Sequence, residues 1–426
     1  MSYQQSIAYL YGLQKFGIKF GLAKISSLLS SLDNPHKTLS CIHIAGTNGK
    51  GSTAACLASV LSKAGYKAGL YTSPHLKRFT ERIKIGNREI SRNDVDRLTR
   101  LLRKKANKID SITFFELVTA MAMLYFAEKK VDGCILEVGM GGRLDATNVV
   151  TPILSIITNI SKEHEYYLGD TLLKIANEKA GIIKKNSSLI TGATQPSVLT
   201  LFRKRCHRLQ TKFYRLGKDF SIHRRDNHSD YHGITGNLDS VKIGLLGDYQ
   251  YNNAAIALAA IELLRTKNYR IDNAAIYRGL NDVTWPGRLE VVMPSPLVIL
   301  DGAHNPDAMK NLKEALIKNF NFRKLVLILG IMDDKNIQGM AREIVPHAHR
   351  VILCRPHMDR AASPARLAKI INGYHVNHCA IDDVKEATRH ALSTASPNDL
   401  ICITGSLFTV GEARDVFKKM PYISLI

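Results

Sequence analysis

The run IHIAGTNGKGST, residues 42 to 53, is the part of this sequence best equipped for chemistry. A β-branched stretch ends in a glycine-rich bend, and a helical pattern begins at Lys50. Such a bend turns successive backbone N–H groups towards one point at a helix N-terminus, where phosphate charge is stabilised, and a lysine at its end adds a point charge near the outer phosphates. Gly49, Lys50, Gly51 and Ser52 are therefore candidates for holding ATP. The spelling departs from the usual G-x-x-x-x-G-K-[ST]: Ile44 stands where the first glycine would be, and Gly51 separates Lys50 from Ser52.

Three further residues have chemically useful types. Glu137 closes an apolar run just before another glycine-rich turn, where ligands meet the carboxyl ends of a parallel sheet, and a carboxylate there can hold Mg2+ against phosphates. His164 follows the run ILSIITNI, but imidazole is an unusual partner for a hard cation, so its chemistry alone reads as hydrogen bonding or structure. Lys179, in NEKAGIIK, reads by itself as an exposed helix charge.

The elements that would position these groups follow from the alternation of apolar runs with segments of helical period, the pattern of α/β units around a largely parallel sheet. Expected strands are Leu39 to Ala45, Gly133 to Val138, Ile153 to Thr158 and Ser188 to Thr191, with amphipathic helices over Ser52 to Lys63 and Phe115 to Glu128. The cluster TWPGRLE at 284 to 290, followed by Pro294 and Pro296, breaks the pattern as a linker would. Beyond it a second alternation starts, with a helix expected over Asp307 to Lys318. Two domains are expected, 1–287 and 288–426, the second smaller and Rossmann-like. Residues 217 to 240, polar and His-rich, read as a hairpin or mobile excursion with His223, His228 and His232 at the surface.

Composition excludes several classes. Of 426 residues 45% are hydrophobic and 23% charged, which argues for a globular core and against disorder. The opening segment has no leader pattern, and no apolar run approaches the length of a membrane span, so a cytoplasmic protein without membrane attachment is expected. Seven scattered cysteines, with no CxxC pair, suggest neither disulfides nor zinc. The formal net charge of +22 would attract polyanions, yet RKRCHR at 203 to 208 is accompanied by no nucleic-acid-binding signature, and nucleic acid is not an expected partner.

Together, AGTNGKGS (45–52), TSPHL (72–76), TFFE (113–116), LEVGMGGRLDATN (136–148), TNISKEH (158–164), NEKAGIIK (177–184), NNAA (252–255), PGRLE (286–290), DGAHNP (301–306) and GSLFTVGEAR (405–414) follow one order. In that order the sequence resembles the Mur ligase superfamily, and specifically its dihydrofolate synthase/folylpolyglutamate synthase family, over nearly the whole chain. The resemblance implies an α/β, P-loop-containing ATPase domain with a smaller Rossmann-like domain. It implies ATP-dependent ligation of L-glutamate to dihydropteroate and to reduced folates through an acyl phosphate, in a bifunctional enzyme. A single-function relative, or a non-catalytic nucleotide-dependent nucleic-acid binder, is the alternative.

By the same resemblance Ser73, Glu137 and His164 are magnesium ligands, with two Mg2+ ions and room for a monovalent cation. Lys50, His164 and Lys179 are the catalytic set, Lys179 as a carbamate. The sequence has Glu163 where the family's more usual residue is Asp. Asn252, Arg288 and Asp301 match the remaining nucleotide contacts: an amide can read adenine, a guanidinium can pair with phosphate and a strand-end carboxylate can bind ribose. A helix cap, a linker salt bridge and a turn residue are their ordinary alternatives. His304 is a candidate supporting residue. The substrate segments that match are Lys19, Phe20, Gly21 and Leu22, then Thr113, Phe114, Phe115 and Glu116, then Leu144, Asp145 and Ala146. Phe115 could stack on a pterin ring and Asp145 accept its N–H groups. A monomer is expected, no long heptad or apolar patch being legible.

Overall fold

The computed structural model describes residues 2–17, 19–225 and 228–417. Two compact units divide the chain: Met1–Ile243 with Tyr251–Val283, and Gly244–Gln250 with Thr284–Ile426. The second unit thus starts a few residues before the expected position 288 and also takes in 244–250, which sequence punctuation does not mark.

The first unit is built on eight strands: β1 (Cys41–Ala45), β2 (Ala68–Tyr71), β3 (Ile83–Ile85), β4 (Arg88–Glu89), β5 (Gly133–Glu137), β6 (Leu154–Ile157), β7 (Ser188–Thr191) and β8 (Lys212–Arg215). They lie in the order β4-β3-β2-β5-β1-β6-β7-β8, parallel from β2 to β8, with β3 and β4 as an antiparallel edge. Every residue of β1 and β5 is buried, as expected of inner strands covered by helices on both faces. From β1 the chain runs to β2 on one side, whereas β5 crosses to β6 on the other. Winding reverses there, and the carboxyl ends of β1, β5 and β6 form the crevice where α/β sheets bind ligands.

Two helices set the geometry at that crevice. Lys50–Lys63 starts from Gly49 in the left-handed region, so the turn after β1 feeds directly into it. Phe114–Glu128 starts at Thr113 with a reciprocal capping box to Glu116, and its apolar residues line a core with Leu10, Tyr71 and Ile83.

In the stretch read as a hairpin or mobile excursion, β9 (Ser221–Arg224), β10 (Ser229–His232) and β11 (Asn237–Val241) form a three-stranded antiparallel sheet. What fixes it is buried Glu262, which accepts hydrogen bonds from Tyr231 Oη at 2.6 Å and from the backbone N–H groups of Ile234, Thr235 and Gly236 at 2.9 to 3.0 Å. His223 and His232 are exposed, as the sequence suggests, and His228 is half-buried.

The second unit carries β12 (Glu290–Pro294), β13 (Leu297–Leu300), β14 (Leu325–Leu329), β15 (Arg350–Leu353), β16 (Asn377–Ala380) and β17 (Leu400–Thr404) in the order β12-β13-β17-β14-β15-β16, parallel except for β12. Helices such as Pro306–Asn319 pack over it, giving the α/β layering expected. Among the described residues no helix is long and apolar enough to cross a membrane.

Candidate active site

The bend after β1 is held by the segment after β6. Thr47 N–H donates to the Asn159 carbonyl at 3.0 Å, Asn48 N–H to Asn159 Oδ1 at 2.8 Å, and Thr158 Oγ1 to the Asn48 carbonyl at 2.6 Å. Thr47 Oγ1 also exchanges hydrogen bonds with the backbone of Ser161. Two glycines are required sterically. A Cβ on Gly46 would sit 1.8 Å from Thr158 Oγ1, and one on Gly49 would sit 2.3 Å from Asn253 Oδ1, at backbone φ values of 148° and 83°. Lys50 folds over the bend, its ammonium donating to the carbonyls of Gly46 and Thr47 at 3.1 and 3.0 Å. Ser52 is buried in the first helical turn.

Glu137 ends β5 next to this bend, since β1 pairs with β5 and Ile44 is in register with Glu137. The backbone N–H of Ser73 donates to its Oε2 at 3.1 Å, so the structure brings Ser73 and Glu137 together. His164 occupies the left-handed region at φ 53° and precedes the short helix Glu165–Leu168. Its Nε2 lies 3.8 Å from Glu163 Oε1, so the longer glutamate still reaches its neighbour. One carboxylate and one hydroxyl suit Mg2+, which keeps phosphate and water oxygens for the rest of its shell and seldom has an all-protein cage. The donor set fits that ion, with His164 its least typical member.

Lys179 is not an exposed helix charge. It is buried, and its ammonium donates to the Gly46 carbonyl at 2.8 Å. Burial lowers its pKa to about 7, Lys50 adds to the drop, and the carboxylates of Glu163 and Asp145 oppose it. The sequence shows only a lysine in a helix, so no local signal predicts this burial.

The substrate candidates divide. Thr113 and Glu116 are committed to the capping box, with Glu116 Oε2 accepting from Thr113 N–H and Oγ1 at 2.8 Å each. Phe114 is buried, stacked on Tyr11 at 5.7 Å, and Phe115 approaches Tyr71 at 6.1 Å and packs on Gly139. Asp145 is fully buried and accepts from Met140 N–H at 2.9 Å, Thr147 N–H at 3.0 Å and Thr147 Oγ1 at 2.5 Å. These bonds brace its own loop, which carries Leu144 and Ala146. Lys19 donates to Ser111 Oγ at 2.9 Å, and Phe20 is exposed beside Tyr167. Gly21 has φ 141°, and Leu22 leads into the helix Ala23–Ser30.

Of the remaining nucleotide candidates, Asn252 is exposed on the helix Tyr249–Arg265, and its neighbour Asn253 is the asparagine that meets Gly49. Arg288, Asp301 and His304 belong to the second unit. Asp301 is buried and accepts from Leu289 and Ala303 N–H groups at 2.9 and 2.8 Å. Burial raises its pKa, and Arg288 counters part of the rise. The Gly302 carbonyl lies 2.8 Å from His304 Nδ1.

Three positions escape sequence reasoning. Arg82 is buried, lies over the Phe114 ring at 5.2 Å and donates from Nε to His75 Nδ1 at 2.7 Å, so His75 Nε2 carries the proton that goes to Tyr11 Oη at 3.2 Å. Burial and Arg82 lower the His75 pKa to about 3. His43, wholly buried on β1, sits 2.8 Å from Thr147 Oγ1. Since Thr147 Oγ1 donates to Asp145, His43 Nε2 is the donor to Thr147, giving a directed line of bonds beneath the loop. Its pKa is lowered to about 3 by burial and then by Lys184.

Comparisons with known proteins place these features. Residues 44–261 match the Mur ligase middle domain, and residues 287–407 the Mur ligase glutamate ligase domain. The dihydrofolate synthase/folylpolyglutamate synthase of Bacillus subtilis is 34% identical over 98% of this chain and 99% of its own length. A probable bifunctional folylpolyglutamate synthase/dihydropteroate synthase of Haloferax volcanii is 36% identical, and the chain spans about half (51%) of that longer protein. Among solved structures, Mycobacterium tuberculosis folylpolyglutamate synthase complexed with ADP superposes with a TM-score of 0.90 at 31% identity, covering 99% of this chain and 100% of the other. E. coli FolC in complex with DHPP and ADP gives 0.89 at 30% identity, over 97% of each chain.

Proposed function

This chain belongs to the dihydrofolate synthase/folylpolyglutamate synthase family of Mur ligases, and from that premise we propose that it joins L-glutamate to dihydropteroate and to reduced folates at the expense of ATP. The observation that carries the reading is the glycine bend at 46–52, pinned by 158–161 and set beside Glu137 at the carboxyl ends of β1, β5 and β6. That arrangement is a phosphate cradle with a metal-binding carboxylate at its edge.

At neutral pH a carboxylate resists attack by an amine, and the amine is itself protonated. Transfer of the ATP γ-phosphoryl group to the carboxylate oxygen makes an acyl phosphate and releases ADP. The deprotonated amine of glutamate then adds to the acyl carbon, and the C–O bond to phosphate breaks as the amide forms. Positioning and charge neutralisation dominate such chemistry, and no nucleophilic side chain is needed. Lys50 exchanges its two loop carbonyls for phosphate oxygens as the nucleotide enters. Ser73, Glu137 and His164 would hold a Mg2+, which supplies neutralisation of the phosphate charge. Lys179, with its amine neutral in part near pH 7, is suited to carbamylation, because only the neutral amine attacks carbon dioxide. The protein acts in the cytoplasm, where ATP and folates are both at hand.

The test is ADP release by the purified protein supplied with ATP, Mg2+ and glutamate, together with dihydropteroate or tetrahydrofolate. Turnover with both acceptors is expected. Turnover with one alone would make it a single-function enzyme, and none with either would end the ligase reading.

A further inference from the structure

The cysteines of this chain are spread out, and none adjoins another in sequence. Folding brings two of them together. Cys41 opens β1 and Cys134 is the second residue of β5, 93 positions away, and the parallel ladder sets them opposite each other in register. Paired strands lie about 4.8 Å apart, inside the range of about 4.4–6.8 Å that a disulfide spans between Cα atoms. The two Sγ atoms are 3.0 Å apart, closer than sulfurs in ordinary van der Waals contact. Both residues are thiols, buried in the core that the helix Phe114–Glu128 lines.

The hydrogen bonds give the pair a direction. Cys41 Sγ donates to the Leu39 carbonyl at 3.5 Å, so the proton between the two sulfurs belongs to Cys134. That bond to Cys41, together with burial, holds the Cys134 pKa well above its ordinary value. In the closed sheet the pair therefore keeps its protons.

Access to the pair lies at the starts of the two strands. Ser40 is half-buried and Asp132 is exposed. Tyr269 clasps the two from outside, its Oη donating to the Asp132 carbonyl at 3.3 Å and lying 3.1 Å from Ser40 Oγ. Strand ends held by so few bonds open locally without unfolding of the sheet.

We propose that Cys41 and Cys134 form a reversible oxidation site, which a hydroperoxide closes into a disulfide between β1 and β5. The chemistry balances with that one oxidant. A thiolate of the pair attacks a peroxide oxygen, the O–O bond breaks, and a sulfenic acid forms while the departing hydroxide takes up the displaced proton as water. The second sulfur then attacks the sulfenic sulfur, and the S–O bond breaks to release a second water. Two thiols thus lose two protons and two electrons, and hydrogen peroxide becomes two waters. Closure brings the sulfurs to about 2.05 Å, a movement of about 1 Å along a line the ladder already sets.

The site lies three rungs below the pairing of Ile44 with Glu137, on the strands that lead to the glycine bend and to that carboxylate. It goes beyond the ligase reading and stands without it.

The test treats the folded full chain with hydrogen peroxide until the half-buried Cys379 is oxidised, which certifies the dose. Remaining thiols are then blocked in denaturant and the peptides weighed. In most chains the peptides bearing Cys41 and Cys134 should appear joined, lighter by two hydrogen atoms than their sum, and dithiothreitol should release both as free thiols. The joined chain should keep the near-ultraviolet circular dichroism of the untreated protein. Absence of the joined peptide once Cys379 is consumed overturns the proposal, as does joining found only in chains that have lost that signal. Turnover of either acceptor has no part in this readout, so failure of the proposed function leaves it unchanged.

Discussion

The ammonium of Lys179 donates to the carbonyl oxygen of Gly46 at 2.8 Å, joining the end of the helix Leu172–Lys179 to the glycine bend after β1. A buried amine with its pKa near 7 makes this a pH-sensitive contact. Below that value Lys179 is charged in the folded and the unfolded chain alike, and the full cost of burying the charge is present. Between about 7 and the ordinary lysine value of about 10.4, the unfolded chain holds a proton that the folded one has shed, so folding gains stability as pH rises. Lys179→Met removes that dependence. Urea unfolding at pH 6.5 and 9.5 should show the variant's stability relative to the parent falling by a few kcal/mol between the two. A relative stability that does not move with pH would disprove the burial assigned to this lysine.

Gly49→Ala places a methyl group against Asn253 Oδ1 in a left-handed backbone, so both steric conflict and strain apply. A loss of about 1–3 kcal/mol in stability is expected, with weaker ATP binding measured by calorimetry. Adding Asn253→Ala should restore the steric part and leave the backbone part. Equal losses in the single and double variants would mean that the two residues do not meet.

His43 is neutral in the folded chain, with its pKa lowered to about 3, and ordinary once unfolded. From about pH 6.5 downwards the unfolded chain gains a proton that the folded one refuses, so stability falls as pH drops towards 3. His43→Gln keeps a donor for Thr147 and cannot titrate. Unfolding free energies from urea titrations at pH 7 and 4.5 should differ in the parent by up to about 2 kcal/mol more than in the variant. Identical acid sensitivity would show that His43 does not carry this load.

Much of the fold is legible in the sequence because inner strands of a parallel sheet are apolar throughout. Ser188–Thr191 agrees to the residue, and β1, β5 and β6 differ from expectation only at their ends. The edge hairpin β3-β4 leaves no such trace, since its second strand is two charged residues. At the site, the bend at 46–52 is readable from glycine and lysine spacing alone. The choice between Asn252 and Asn253 is not, because which asparagine faces Gly49 depends on the rotation of a helix whose neighbours lie far away in sequence. In TFFE a capping box and a binding segment share one spelling, and in the structure Thr113 and Glu116 start the helix.

The partners that shape the glycine bend come from residues 158–161, more than a hundred positions downstream. A peptide containing only residues 42–53 has no means of keeping that curve. As the chain emerges from synthesis, the capacity to grasp a nucleotide therefore arrives only after β6 has docked alongside β1, which makes nucleotide affinity a late milestone of folding and a gauge of whether the first unit has assembled.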